Sequence, residues 1–528
     1  MDQPLDPNLA VPLGAVLVVS PKTPEACRHS LGAMGQELSS SVIRRRAKSG
    51  IFFVGSWGVM NLIVGFGGNI VLARLLEPRD FGIVAIGATL MMFTTSIADG
   101  GLGSGLIRRE HDPDKPELRA TLALQLTLTS TLAVLAAAIG WLVGGAGLVV
   151  AMMMLALPVA AFQTPGRVVL SRAMRFKALS TTEAVCNLLY YVWSIGLVVF
   201  FDAGVWALAS AVVIRALTLA VGITAVARHG VLIPSFSAAS RLRPVIAFGL
   251  RFQGVSLAGM LREQGLNAGI AAIAGVGTLG FWTLTKRLLE LPALMFEPLH
   301  RVSFPLLSRV LADKQDPARM LDRGVAVAST ASGVVLVGMA CSAQELVPFV
   351  FGEQWRAVGE IIPWICGSLL VAGPLSVVAV GFLYASDAPH VVLWSTVIHT
   401  AVLFAVAFPL LDVVGPAAIG VGSLAGAIVD AAIMARAISQ RSSARPLDGL
   451  LPTVAVAVVA AAAGLAVSAW AGNGVLAGIA AGATGAMVYL VVMAIVRRAV
   501  VTDTLRLIGD AVRSGLTKET PLAAGEAS

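Results

Sequence analysis

VIAFGLRFQGVSLAGMLREQGLNAGIAAIAG (residues 245–275), followed at once by VGTLGFWTLTKRLLELPALMFEPL (residues 276–299), is the stretch that decides the fold. Each run is long enough to cross a bilayer as a helix, since about 20 apolar residues span the hydrocarbon core. Each also carries charge where charge is expensive: Arg251, Arg262 and Glu263 in the first, Lys286, Arg287 and Glu290 in the second. Ionisable side chains inside membrane helices mark substrate or ion pathways by default. The hairpin is therefore read as part of a membrane protein that handles a charged ligand.

Composition extends this reading to the whole chain. Hydrophobic residues make up 57% and charged residues 13% of the 528, against about 25% charged in soluble domains, and the mean hydropathy is +0.84. Aromatic content is 6%, and the apolar runs are long and rich in Ala, Val, Leu and Gly, a helical pattern and not the alternation of a barrel. The fold class expected is an all-α polytopic membrane protein. Cys27, Cys186, Cys341 and Cys366 share no CxxC or metal spacing and read as small buried hydrophobes. No catalytic group, metal site or cofactor is expected, and no GxxxxGK[ST] nucleotide loop is present.

Apolar spans are expected at 50–72, 82–104, 119–143, 145–165, 183–202, 204–227, 245–274, 277–299, 324–344, 358–385, 389–411, 414–437, 451–471 and 474–497, about fourteen helices. Alternate loops differ in charge. One set holds Arg44, Arg45, Arg46, Lys48, Arg108, Arg109, Arg172, Arg175, Lys177, Arg241, Arg243, Arg309, Arg323, Arg441 and Arg497 among others, whereas the opposite set holds Arg74, Arg79 and Arg356. By the positive-inside rule the basic set is cytoplasmic, which puts both termini there. A basic face against anionic lipid accounts for the pI near 9.7 without nucleic acid.

The chain also repeats. Asn69 precedes Phe81-Gly82 by the interval at which Asn267 precedes Leu279-Gly280, an offset of 198 (267 − 69) that also carries Asp99 onto Glu297. With six spans per half, the copies share one orientation, a parallel repeat of the kind transporters use. The expected divisions are an N-terminal extension (1–43), a six-helix bundle (44–228), a cytoplasmic linker (229–243), a second six-helix bundle (244–437), two additional helices (438–498) and a cytoplasmic tail (499–528). Residues 1–40 make a poor signal peptide, and Met34 is an alternative start to Met1. The tail begins with an amphipathic stretch, VTDTLRLIGDAVRSGL.

Five blocks carry a resemblance: ARLLEPRDFG (residues 73–82), ADGGLGSGLIRRE (98–110), LSRAMRFKAL (170–179), TLTKRLLELPALMFEPLHRVSFPLLSRV (283–310) and VPFVFGEQWRAVGEIIPW (347–364). In this order and on these loops they resemble polysaccharide-exporter flippases of the multidrug/oligosaccharidyl-lipid/polysaccharide superfamily. The resemblance implies a multi-pass protein of the bacterial inner membrane that moves polyprenyl-diphosphate-linked oligosaccharide to the outer leaflet for exopolysaccharide, capsule or O-antigen synthesis. A polysaccharide polymerase and glycosyltransferases would be its partners, and a coupling H⁺ or Na⁺ its energy source. A lipid II flippase or a drug antiporter of the same superfamily is the alternative. In the seventh helix many relatives carry an acidic or Asn-rich run, whereas this chain reads REQGLNAGIAAIAG.

The cargo problem leads to the same residues. A diphosphate head needs a polar cavity with fixed cations, and the planar fork of Arg suits phosphate oxygens. The substrate-binding candidates are Arg262, Lys286, Arg287 and Arg251, with Arg262 and Lys286 at similar depth. The competing account is structural pairing, Lys286 or Arg287 with Glu290 and Arg262 with Glu263. Glu290, Glu263, Asp99 and Glu297 are the ion-coupling candidates, with helix-end and surface roles open for Asp99 and Glu297. Arg215 in the sixth span either faces a cavity or snorkels to an interface. Pro292 and Pro298 are expected to bend the eighth helix.

Overall fold

In hydrocarbon a backbone must satisfy its own hydrogen bonds, so each apolar run becomes a helix. The computed structural model describes residues 60–504 and 506, except 109–110, 228–231, 314 and 473, with backbone alone at 104, 108, 248–259, 261–262, 297–298 and 300–302. All of these fall within one compact unit, Phe53–Ser528. The helices are α1 (Met60–Leu75), α2 (Pro78–Asp99), α3 (Leu102–Arg108), α4 (Lys115–Val143), α5 (Ala146–Met154), α6 (Ala156–Ala161), α7 (Gln163–Arg172), α8 (Phe176–Phe201) and α9 (Val205–Ala227). They continue as α10 (Arg243–Ile273), α11 (Val276–Ala293), α12 (Glu297–Ala312), α13 (Ala318–Phe351), α14 (Arg356–Ala385), α15 (Pro389–Val414), α16 (Ala417–Ser439), α17 (Pro446–Ala471) and α18 (Val475–Val496).

Among the described residues helix stands in every expected span, and residues 50–59 of the first span lie outside them. Among the described residues ten helices are long and apolar enough to cross a membrane, and the bent run from α5 to α7 makes eleven. The other expected spans correspond to α1, α10 and α11, and α10 and α11 each carry several charged residues. The protein is a multi-pass membrane protein. Three expected spans are interrupted. α2 stops at Gly100 and Gly101, whose φ values of 49° and 75° break the helix before α3. Residues 145–165 form α5, α6 and the start of α7, with a 47° bend at Phe162. The eighth span breaks after Pro292, with a turn at 294–296 before α12.

Two-fold kinship between the halves is visible in the first hairpin of each. α1 and α10 end at Leu75 and Ile273, and α2 and α11 begin at Pro78 and Val276, each pair 198 apart. The contacts between α2 and α11 are exchanged in the same way. A Cβ at Gly82 would overlap the backbone carbonyl of Val276, and one at Gly280 would overlap that of Pro78. Residue contacts swapped between equivalent positions are what a two-fold interface produces. Glycine is required at both places because the two backbones touch.

The remaining helices pack around this seam. Residues 232–242 lie along the first half: Arg119 Nε donates to the Ile233 carbonyl at 2.7 Å, and Arg241 pairs with Asp114 at 3.0 Å. In the second half α17 and α18 are joined to α13, where Tyr489 is fully buried against Gly333 and donates toward the carbonyls of Ser329 and Thr330. Beyond α18 the backbone is helical again at 498–504, and Asp503 pairs with Arg323 at 2.8 Å.

Candidate functional site

Beside the α2–α11 seam lies a cavity of about 330 Å³, lined by Asn69, Phe81, Asn187, Tyr190, Tyr191, Arg215, Thr283, Leu284 and Arg287. Five helices supply it: α1, α2, α8 and α9 from the first half and α11 from the second. Arg215 stands ten residues into α9 and Arg287 eleven into α11, roughly 15 Å from the helix ends on the less basic face at about 1.5 Å per residue. That is mid-membrane depth. No carboxylate is among the described lining residues.

Small residues in α1 admit the polar groups. Its segment GFGGN (residues 65–69) places Gly68 where a Cβ would overlap the Tyr191 ring, and Gly65 where one would come within 2.8 Å of the Arg287 guanidinium. The buried Tyr191 hydroxyl accepts from Asn69 Nδ2 at 3.0 Å and, more loosely, from Arg287 Nη2 at 3.5 Å. With both acceptor positions used, the hydroxyl still has its own hydrogen to donate. Asn187 Nδ2 donates to Asn61 Oδ1 at 3.3 Å. Arg287 Nη1 lies 3.5 Å from Glu290 Oε2. These long contacts leave much of a five-donor guanidinium free for an anion.

Lys286 turns the other way. Its Nζ donates to Asn267 Oδ1 at 3.1 Å, lies 3.6 Å from Glu263 Oε1 and sits 6.0 Å from the centre of the Trp282 ring. Asn267 Nδ2 donates to Gln264 Oε1 at 2.9 Å, which also accepts from Thr89 Oγ1 at 2.8 Å. Thr89, Gln264 and Asn267 are buried, so this network ties α2, α10 and α11 together. It borders a second cavity of about 340 Å³, whose lining is apolar apart from Thr89 and Asn267: Ile86, Leu90, Ala268, Ala271, Ala272, Val276 and Leu279.

The expected cation cluster is thus divided. Arg287 faces the polar cavity and Lys286 the buried network, and both are paired, Arg287 with Glu290 and Lys286 with Glu263. The side chains of Arg251, Arg262 and Glu297 lie outside the described residues, although their backbone is helical. Asp99 ends α2, where Oδ1 accepts from the Gly103 N–H and from Gln125 Nε2, each at 3.2 Å. Arg215 lines the cavity. Its signal in the sequence was a lone cation in the middle of an apolar span. Tyr190, Tyr191 and Asn187 gave no comparable signal, because α8 reads as an ordinary apolar helix with polar interruptions.

Comparison with known proteins adds three findings. A family model described as polysaccharide biosynthesis protein matches residues 71–360, more than half of the chain. The succinoglycan biosynthesis transport protein ExoT of Rhizobium meliloti (strain 1021) is 23% identical over 500 residues, 89% of this chain and 97% of the relative. The lipopolysaccharide biosynthesis protein WzxC of Escherichia coli (strain K12) is 22% identical over 335 residues, 58% of this chain and 63% of its own length. Among solved structures, the lipid II flippase MurJ in an inward closed conformation superposes with a TM-score of 0.62 at 12% identity, covering 85% of this chain and 99% of MurJ. A multidrug resistance MATE transporter of the MOP superfamily, inward-facing, gives 0.51 at 15% identity, with 75% and 95% covered. At such identities these likenesses speak to the fold.

Proposed function

The chain belongs to the polysaccharide biosynthesis protein family, and from that premise we propose that it flips polyprenyl-diphosphate-linked oligosaccharide from the cytoplasmic to the outer leaflet of a bacterial inner membrane. It is a transporter and not an enzyme. Both termini are cytoplasmic in this reading, following the basic loops. The product serves exopolysaccharide, capsule or O-antigen assembly, with a polymerase and glycosyltransferases as its functional neighbours.

One observation carries the reading: Arg215 and Arg287, one from each half, face a single polar cavity at mid-membrane depth. A diphosphate cannot cross hydrocarbon unaided, and two guanidiniums in a site of low dielectric offer it bidentate, charge-assisted hydrogen bonds. The spare hydrogen of Tyr191 adds a donor. The glycan stays in the aqueous part of the opening and the polyprenyl tail stays in lipid. Because the cations come from different halves, cargo binding draws the halves together, and rocking them about the α2–α11 seam exposes the site alternately to either side. H⁺ or Na⁺ coupling would act at Glu290, beside Arg287, at Glu263, beside Lys286, or at Asp99. A drug antiporter that attracts cations needs an acidic cavity, which the described lining does not supply.

The test is genetic. Deleting the gene removes one polymer; the wild-type gene restores it, and an Arg215→Gln/Arg287→Gln double variant at equal membrane level does not. Full restoration by the double variant overturns the assignment of this cavity to the diphosphate.

A further inference from the structure

Two of the blocks noted in the sequence, ARLLEPRDFG and VPFVFGEQWRAVGEIIPW, meet across the halves, on the face opposite the basic loops. What they exchange is helix capping. The last carbonyls of a helix have no partner within it. At the end of α1, the next backbone donor is diverted, because the Glu77 N–H goes to Asp80 Oδ2 at 3.1 Å. The Ala73 carbonyl instead accepts from Trp355 Nε1 at 2.7 Å and Gln354 Nε2 at 2.9 Å, both from the second half. At the end of α13, the roles reverse. Arg74 of the first half donates Nε to the Val350 carbonyl at 2.8 Å and Nη2 to the Phe349 carbonyl, and its charge suits the negative end of that helix.

Burial makes this more than a surface contact. Ala73 and Trp355 are each 0% exposed. Gly352, at φ 110°, turns the chain so that Trp355 enters between Phe81 and Phe281, whose rings stand edge-on at 5.0 and 6.1 Å. Separating the halves here would leave the Ala73 carbonyl and the indole N–H without partners until water entered. In the equivalent turn of the second half, Ala272 stands where the first half has Arg74. The arginine arm of the exchange therefore belongs to the first hairpin.

We propose that Arg74, Gln354 and Trp355 form an outer latch that holds the two halves closed on the less basic face, and that its release opens the polar cavity outward. This rests on the alternating-access reading above. In the closed state the latch shields the cavity from the outer solution, and opening requires both helix ends to trade protein donors for water.

The experiment uses the full chain in membranes, with Cys27, Cys186, Cys341 and Cys366 replaced and Thr283→Cys as a reporter in the cavity wall. A membrane-impermeant maleimide is added from the outer face. Trp355→Phe, which keeps a ring but loses the donor, combined with Arg74→Ala should raise the labelling rate at least about tenfold, the equivalent of one or two lost hydrogen bonds. Arg74→Ala alone, at an exposed side chain, should raise it by a smaller factor and serves if Trp355→Phe lowers the membrane level. Joining Arg74→Cys to Gln354→Cys with a reducible bifunctional reagent should block labelling and export together, with both restored on reduction. Unchanged labelling in the Arg74→Ala and Trp355→Phe variants overturns the latch. Labelling needs no glycan, so this result is independent of whether deletion of the gene removes a polymer.

Discussion

The two cavities beside the α2–α11 seam are the same place in two copies of one design. Asn69, Phe81, Leu284 and Arg287 of the polar cavity lie 198 residues from Asn267, Leu279, Ile86 and Thr89 of the apolar one, with the two halves exchanging roles. Their volumes are alike, about 330 and 340 Å³. Their chemistry is not. Where the first has Arg287, the second has Thr89, and the helices that close the first bring Arg215, Tyr190 and Tyr191. The repeat sets the geometry of both cavities through backbone contact at Gly82 and Gly280, and a few side chains decide which of them can hold an anion. Transport polarity can thus arise in a two-fold scaffold by furnishing one of two equivalent sites.

The contrast breaks most completely if Arg287 is replaced by the residue at its counterpart. Arg287→Thr should reduce export of lipid-linked glycan in reconstituted vesicles by roughly 10- to 150-fold, the worth of a charged hydrogen bond of about 1.5–3 kcal/mol. Thr89→Arg breaks the buried bond to Gln264 and should lower the folded amount, but export per folded molecule should stay near the wild-type rate, because the other cavity lacks the tyrosines and the second arginine. Equal losses from both changes would erase the functional difference. The seam comes next: Gly82→Ala and Gly280→Ala each force a methyl onto a backbone carbonyl and should destabilise the protein by about 1–3 kcal/mol. Because the contacts are exchanged, the two losses measured by thermal unfolding in detergent should be similar. A large effect at one glycine and none at the other would mean the halves do not share the interface evenly.

Much of the scaffold was legible because lipid leaves an apolar run little choice but helix. The interruptions were partly legible. Gly100-Gly101 and Pro292 announce themselves, and the bend at Phe162 falls where Pro165 has no N–H to give the Ala161 carbonyl. The site was harder. Lys286 and Arg287 are adjacent, so their side chains leave α11 about 100° apart, and nothing in their own sequence says which one meets a cavity. That depended on the facing helices: Gly65 of α1 admits Arg287, while Asn267 of α10 takes Lys286. Their acidic partners divide in the same way, Glu290 within α11 and Glu263 across from α10.

Lys286 sharpens the comparison further, since it serves the apolar side. Lys286→Met removes the donor to Asn267 Oδ1 and should cost about 1–3 kcal/mol for a buried acceptor left unpaired. Glu263, 3.6 Å away, loses its ion-pair partner as well. Thermal unfolding should shift while export per folded molecule stays close to wild type, the reverse of Arg287→Thr. If Lys286→Met abolishes export at unchanged stability, the lysine belongs with the cargo.

The smallest expected effect lies at the hydroxyl that joins the halves within the polar cavity. Tyr191→Phe keeps the ring against Gly68 but deletes the oxygen that accepts from Asn69 and Arg287 and the hydrogen available to cargo. Arg287 retains Glu290, so its position should survive. One neutral hydrogen bond is worth about 0.5–1.5 kcal/mol, a reduction in export of roughly 2- to 12-fold. Combined with Arg287→Thr, the two losses should fall short of additive, because Arg287 and Tyr191 touch and act on one ligand. Fully additive losses would place the hydroxyl and the guanidinium on separate tasks, and the polar cavity would then be two sites instead of one.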